Sequence, residues 1–194
     1  MKIAVYCSSS EIVDTIYFEE AQLLGELIST NNHTLVYGGA NVGLMNHLAI
    51  TVKNSNNSVH GVITQKILDK GLGFHAADIL DITSTMHERK ALMEDIAEAF
   101  IILPGGFGTL EEMLEVITLK QLGYHNKPIV IINTNGFFDK LLVFFEQMYL
   151  EKFAKEDYRA LYHIAKDSLD AINYINTYAP NNEVVDKWHK IERK

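Results

Sequence analysis

Residues 102–112 read ILPGGFGTLEE, where a hydrophobic strand passes through closely spaced glycines into an acidic helix start. Gly105, Gly106 and Gly108 carry no side chain that would cover the backbone N–H groups, and Thr109 stands where the next helix is predicted to begin. Unpaired N–H groups and the helix dipole favour anions at a helix N-terminus. The stretch is therefore either a tight turn or a place where an anionic ligand approaches the backbone.

A purely structural explanation of the same stretch stays open. Thr109 and Glu112 match the T-x-x-E capping box, in which the glutamate returns to a backbone N–H at the helix start. Glu111 is expected to face about 100° away from Glu112 on the helix. Thr85 and Glu88 form a second T-x-x-E pattern earlier in the chain.

Short apolar runs alternate with amphipathic stretches along the chain, and this alternation decides the fold class. The runs are nearly continuous in Ile, Val and Leu, which is typical of parallel strands buried on both faces. Strands are predicted at 2–7, 34–38, 58–64, 78–82, 99–104, 128–133 and 161–165. Helices are predicted at 13–30, 43–54, 86–99, 109–123, 136–153 and 167–178. We expect an α/β fold, a doubly wound sandwich with a mostly parallel sheet and helices on both faces.

Composition excludes several classes of function. The 194 residues show no repeat or composition break, so we expect one domain over 1–194, with a core of about 1–178 and a peripheral tail at 179–194. The formal net charge of −8 argues against broad binding to nucleic acid or an anionic membrane. No stretch approaches the ~20 apolar residues of a membrane helix.

Cys7 is the single cysteine, which fits a reducing cytoplasm, and the histidines show no metal-binding spacing. We expect neither a metal nor a cofactor.

Ligands of a doubly wound sheet bind at the carboxyl ends of its strands, and two further clusters stand at predicted strand ends. The first, CSSS at 7–10, either caps a helix or contacts a phosphate, with Ser9 as the candidate. The second is YGGANVGLM at 37–45, which is either a tight turn or a site of close ligand approach. Its glycines are Gly38, Gly39 and Gly43. The cluster lacks both G-x-G-x-x-G and the lysine of a P-loop, which argues against NAD-dependent enzymes and P-loop ATPases.

Residues 85–93, TMHERKALM, place two adjacent cations in the first turns of a predicted helix. Cations near a helix N-terminus are unfavourable by up to about 1 kcal/mol, so Arg89 and Lys90 make more sense with an anion nearby. Met86 shares their face of the helix and would present a thioether to a flat base. The alternative is an exposed basic turn with core methionines.

These motifs together resemble the LOG (Lonely Guy) family of cytokinin riboside 5′-monophosphate phosphoribohydrolases, proteins often labelled lysine decarboxylases. Pro104 to Glu112 meets the family pattern P-G-G-x-G-T-x-x-E in full, and Arg89 and Lys90 match its basic pair. Ala40 stands where the family usually has glycine in YGGANVGLM, and Ser8 does so in CSSS. The similarity covers about residues 2–160.

The resemblance implies a Rossmann-like fold, a homodimer and hydrolysis of the N-glycosidic bond of nucleoside 5′-monophosphates. The substrates would be AMP or N6-modified adenine nucleotides, and the products free base and ribose 5-phosphate. Arg89 and Glu112 are the implied catalytic pair, and Arg89 is expected to keep Glu112 ionised. The expected substrate-binding residues are Ser9, Gly38, Gly39, Gly43, Met86, Lys90, Gly105, Gly106, Gly108 and Thr109.

Two rival functions stay open at this point. The main alternative is a non-catalytic nucleotide-binding or molybdenum-cofactor carrier protein, because the same fold holds such ligands without chemistry. A decarboxylase is the weaker alternative, since it requires a lysine that holds pyridoxal phosphate as a Schiff base. No lysine in a strand-end loop stands out for that role.

Overall fold

The structure, a computed structural model, describes residues 1–180, and the part of the predicted tail beyond residue 180 lies outside the described residues. Its strands are β1 (Lys2–Tyr6), β2 (Thr34–Tyr37), β3 (Val59–Thr64), β4 (Ile79–Thr83), β5 (Ala99–Ile102), β6 (Ile129–Ile132) and β7 (His163–Ala165). Its α-helices are α1 (Thr15–Thr30), α2 (Gly43–Asn54), α3 (Gln65–Leu68), α4 (Met86–Ile96), α5 (Phe107–Gln121), α6 (Asp139–Leu150) and α7 (Ser168–Thr177). Two 3-10 helices span Thr134–Gly136 and Glu156–Leu161.

The strands of residues 1–180 form one sheet in the order β4-β3-β2-β1-β5-β6-β7, and every neighbouring pair is parallel. The chain winds outward from β1 in one direction through β2, β3 and β4. It then returns to the other side of β1 and continues through β5, β6 and β7. The strand order therefore reverses between β1 and β5, which is where such a sheet opens a crevice for ligands. The prediction of a doubly wound α/β sandwich is confirmed.

Each face of the sheet is covered by its own layer of helices. Ile3 and Val5 of β1 point to the layer of α1, α2 and α7, whereas Ala4 and Tyr6 point to α4, α5 and α6. Because successive side chains of a strand alternate between faces, burial on both sides requires the unbroken apolar runs seen in the sequence. Full burial of a Leu or Ile side chain contributes about 1.5–3 kcal/mol.

The helix boundaries differ from the predicted ones in ways that matter for the site. Helix α5 begins at Phe107, two residues before the predicted start. Helix α4 ends at Ile96, since Ala97 already has an extended backbone. Helix α6 begins only at Asp139, because the preceding 3-10 turn contains Asn135 at a positive φ of 53°. The short helix α3 has no counterpart in the prediction, because four residues are too few for a helical period.

None of the helices within residues 1–180 combines the length and the apolarity needed to cross a bilayer.

Candidate active site

A cavity of about 700 Å³ opens at the carboxyl edge of the sheet, at the reversal between β1 and β5. Its walls come from the loops after β1, β2, β3 and β5 and from the first turns of α4 and α5. Of the residues singled out in the sequence, the structure brings these into its walls: Ser9, Gly38, Met86, Arg89, Gly106, Gly108, Thr109 and Glu112. Four others do not line it: Gly39, Gly43, Lys90 and Gly105.

Arg89 and Glu112 meet in the cavity as a buried ion pair. The Nη1 group of Arg89 donates to Oε1 of Glu112 over 3.0 Å, and only 8% and 11% of the two side chains are exposed. The Nε group of Arg89 donates to the backbone carbonyl of Val62, also over 3.0 Å. The guanidinium is thus anchored to the end of β3 on one side and to helix α5 on the other.

Gly38 makes room for this guanidinium. A Cβ atom at Gly38 would lie 2.1 Å from Nη2 of Arg89, which is far inside contact distance. Gly43 permits a different approach, since it has φ +57° and a Cβ there would lie 2.4 Å from the carbonyl carbon of Ser9. The start of α2 therefore packs directly on the loop after β1, and the N–H of Leu44 donates to the carbonyl of Ser8 over 3.0 Å. Gly39, at φ +69°, packs close to the side chain of Ile63.

Burial sets the acidity of Glu112. Loss of solvent raises the pKa of Glu112, and the contact with Arg89 lowers it without outweighing the burial. The expected influence of Arg89 is therefore present but is the smaller of the two effects. A carboxylate with a raised pKa is a stronger proton acceptor near neutral pH than an exposed one.

The start of α5 is not closed by a capping box. Gly106 is the N-cap and has no side chain to accept a hydrogen bond, so Thr109 lies inside the first turn. The carboxylate of Glu112 pairs with Arg89 and not with the helix start. The capping-box explanation of Thr109 and Glu112 is therefore wrong, because it requires Thr109 as the N-cap and the actual N-cap, Gly106, lies three residues earlier.

The three glycines of the loop after β5 have different reasons to be glycine. A Cβ at Gly105 would lie 2.1 Å from Oγ1 of Thr109, so Gly105 accommodates that hydroxyl. A Cβ at Gly106 or Gly108 would meet no atom within 4 Å, and neither residue has a positive φ. Packing of the described residues thus does not require these two glycines, and the absence of side chains there leaves space for close approach of a ligand.

Comparison with known proteins agrees with these motifs. A family model described as "Possible lysine decarboxylase" matches residues 45–175, which include both Arg89 and Glu112. The chain is 38% identical to the cytokinin riboside 5′-monophosphate phosphoribohydrolase LOG of Oryza sativa subsp. japonica, over 96% of this chain and 77% of that protein. It is 37% identical to the cytokinin riboside 5′-monophosphate phosphoribohydrolase LOG2 of Arabidopsis thaliana, over 94% of this chain and 85% of that protein. The chain belongs to the LOG family.

Solved structures extend the likeness in fold beyond the LOG family. The molybdenum cofactor carrier protein of Chlamydomonas reinhardtii superposes with a TM-score of 0.69 at 21% identity, over 90% of this chain and 95% of that one. The molybdenum cofactor binding protein of Rippkaea orientalis gives a TM-score of 0.69 at 22% identity, over 90% and 94% of the two chains. At such identities the likeness shows the shared fold alone.

Lys90 of the LOG-family basic pair faces a different way from Arg89. Its ammonium pairs with Glu111 and with Oε2 of Glu115, the latter at 2.7 Å, and 9% of its side chain is exposed. Burial alone would lower the pKa of Lys90, but the hydrogen bonds to the two glutamates outweigh burial and raise it. In this structure Lys90 thus contacts carboxylates of α5 and not the cavity.

One wall of the cavity was not predicted from the sequence. It is the segment from α3 to residue 73, which contributes Ile67, Lys70 and Leu72. The segment is held down by two backbone hydrogen bonds, from Asn41 to Leu72 and from Phe74 to Gly39, each of 2.9 Å. The glycines at 71 and 73 were the available signal for an ordered loop here, but they did not show which way it folds.

The remaining candidates for chemistry are unremarkable in the structure. Cys7 is buried, and burial raises the pKa of its thiol, so it is a poor nucleophile. His87 is exposed. Within residues 1–180, no group of three or more His, Cys, Asp or Glu side chains is arranged to hold a metal ion.

Proposed function

We propose that the protein hydrolyses the N-glycosidic bond of nucleoside 5′-monophosphates, either AMP or N6-modified adenine nucleotides, and releases free base and ribose 5-phosphate. One observation carries this proposal: the buried Arg89–Glu112 pair shares a cavity with a helix N-terminus that has no side-chain cap. The identity with LOG phosphoribohydrolases over nearly the whole chain supports it.

The N-terminus of α5 supplies the phosphate site of this proposal. Gly106, Gly108 and Thr109 line the cavity, and the helix dipole adds favourable positive potential there. Ser9, across the cavity in the loop after β1, provides a further hydroxyl for the phosphate.

Glu112 is the group that acts at the sugar. As the bond between C1′ and the base breaks, its electron pair leaves with the base and the sugar becomes an oxocarbenium-like cation. The carboxylate of Glu112 stabilises that charge and accepts a proton from the water that attacks C1′, while the departing base takes up one proton, so the net reaction consumes one water molecule. Arg89 holds this carboxylate in place and contributes the remaining guanidinium donors to phosphate or ribose oxygens. Met86 forms a wall for the base.

The same proposal includes a homodimer in the cytoplasm. Phe107 lies beside the cavity with 93% of its surface exposed, and large exposed aromatic side chains are common at protein interfaces. Light scattering on the purified protein measures the oligomeric state directly.

Chromatography of the purified protein incubated with a panel of nucleoside 5′-monophosphates tests the activity. We expect free base and ribose 5-phosphate from adenine nucleotides, and no base from nucleosides that lack the phosphate. Tight nucleotide binding without release of base from any member of the panel would favour the carrier alternative. A visible absorption band after addition of pyridoxal phosphate, with release of CO2 from lysine, would favour the decarboxylase.

A further inference from the structure

Three carboxylates of α5 lie against two cations of α4 beside the proposed catalytic centre. Glu111 and Glu115 are one turn apart on α5 and both contact Lys90. Glu112 lies about 100° around the helix from Glu111 and contacts Arg89. Lys90 therefore pairs with two carboxylates, and Arg89 pairs with the single carboxylate that faces the cavity.

Removal of Lys90 would disturb this arrangement of ion pairs. Glu111 and Glu115 would lose the cation that both of them contact, while Arg89 stands one residue away on the same helix. A guanidinium has donors on three nitrogens, so it is able to serve other carboxylates than Glu112. Repulsion among the glutamates would also push the first turns of α5 away from α4.

We propose that Lys90 is a positioning residue, which neutralises Glu111 and Glu115 so that Arg89 stays paired with Glu112 at the cavity. The inference rests on the proposed function. It replaces the expectation that Lys90 binds the substrate phosphate, because Lys90 does not line the cavity and its ammonium already contacts two carboxylates.

The first experiment measures kcat and KM for base release by Lys90→Met. We expect kcat to fall by about 10- to 100-fold, as for a misplacement of catalytic groups by about 1 Å, with KM unchanged. Lys90→Arg, which keeps the charge, should recover most of the loss. A rise in KM at unchanged kcat would overturn the proposal and indicate that Lys90 binds the substrate phosphate.

The second experiment replaces the two glutamates that contact Lys90 and leaves the lysine unchanged. The double variant Glu111→Gln/Glu115→Gln frees Lys90, so a phosphate-binding lysine would keep or improve the affinity for substrate. A positioning lysine is no longer needed once the two competing carboxylates are gone, so Lys90→Met added to the double variant should lower kcat no further. Glu146→Gln is the matched control, because it removes the surface ion pair of α6 with Arg159 and should leave kcat unchanged. A further 10- to 100-fold fall in kcat when Lys90→Met is added to the double variant would contradict the inference.

The third measurement does not depend on turnover. A crystal structure of Lys90→Met should show Arg89 turned toward Glu111 or Glu115, with the 3.0 Å contact to Glu112 lost. If wild-type protein releases no base but this contact still breaks, the proposed function fails while the positioning role stands. If the contact persists in the variant, the positioning role is wrong whatever the activity.

Discussion

Helices α4 and α5 begin at the same edge of the sheet, and the pattern T-x-x-E occurs at the start of both. The pattern forms a capping box at α4 but not at α5. At α4 the hydroxyl of Thr85 accepts from the N–H of Glu88 over 3.1 Å, and the carboxylate of Glu88 accepts from the N–H of Thr85 over 3.3 Å. At α5 the corresponding threonine lies inside the first turn, and Glu112 turns to Arg89. The start of α4 is capped by its own side chains, whereas the start of α5 has no side-chain cap.

The residue at the cap position of each helix makes this difference. Thr85 is itself the N-cap of α4, whereas Gly106, three residues before Thr109, is the N-cap of α5 and has no side chain. A helix start without a cap leaves N–H groups unpaired, which is unfavourable unless water or an anion binds them. The comparison teaches that a T-x-x-E pattern preceded by glycines is a poor guide to a capping box.

The largest expected effect separates the two glutamates. Glu112→Gln should lower kcat for base release by about 10²- to 10⁴-fold, because the amide can neither accept a proton nor balance the cation on the sugar. Glu88→Gln should leave kcat unchanged, since glutamine also completes a capping box. Steady-state kinetics with AMP measure both. Normal turnover by Glu112→Gln, or an equal loss in Glu88→Gln, would show that the proposed division between the two helices is wrong.

The next effect concerns the glycines of α5. Gly108→Ala should stabilise the helix by about 0.5–1 kcal/mol, because alanine loses less conformational freedom on folding. The same methyl group would obstruct the phosphate, so we expect KM for AMP to rise by about tenfold, which corresponds to ~1.4 kcal/mol. Thermal denaturation and steady-state kinetics measure the two effects.

Gly105→Ala serves as the contrast to Gly108→Ala. Its methyl group would collide with Thr109, so this variant should lose thermal stability as well as affinity. If Gly108→Ala gains stability and binds AMP normally, the N-terminus of α5 does not hold the phosphate.

Much of the fold and part of the site follow from the sequence. The apolar runs predict the parallel strands because burial on both faces leaves no polar positions, and the glycine clusters predict which strand ends are open to ligands. Arg89 and Glu112 are named by the resemblance to the LOG family, and the structure then brings them to 3.0 Å. The partners of Lys90 do not follow from the sequence, because they depend on how α4 packs against α5. The wall at Lys70 does not follow either, since α3 is too short for a periodic pattern.

A smaller effect tests the closed helix start. Thr85→Ala removes the hydroxyl that accepts from Glu88 and should destabilise the protein by about 1 kcal/mol. For a domain of this size that lowers Tm by about 2–4 °C. Thr85→Ser keeps the hydroxyl and should retain the wild-type Tm. An unchanged Tm in Thr85→Ala would mean that the cap of α4 contributes nothing to stability.

The smallest effect contrasts Glu112 with Glu94, a half-buried glutamate of α4. Burial, with the nearby carboxylates of Glu115 and Asp95, raises the pKa of Glu94 from 4.5 to about 7, against the opposing effect of Lys90. The folded state therefore keeps a proton that the unfolded chain loses at lower pH, so this group makes stability fall as pH rises from about 4.5 to about 7. Glu94→Gln removes that fall, and its Tm should exceed that of wild type at pH 8 and match it at pH 4.5. The gain should be only about 1 °C, because the side chain is half-buried and screened by solvent. Since Glu94 does not line the cavity, kcat in Glu94→Gln should stay at the wild-type value, whereas loss of Glu112 removes it. A Tm difference that is the same at both pH values would show that Glu94 does not titrate in this window.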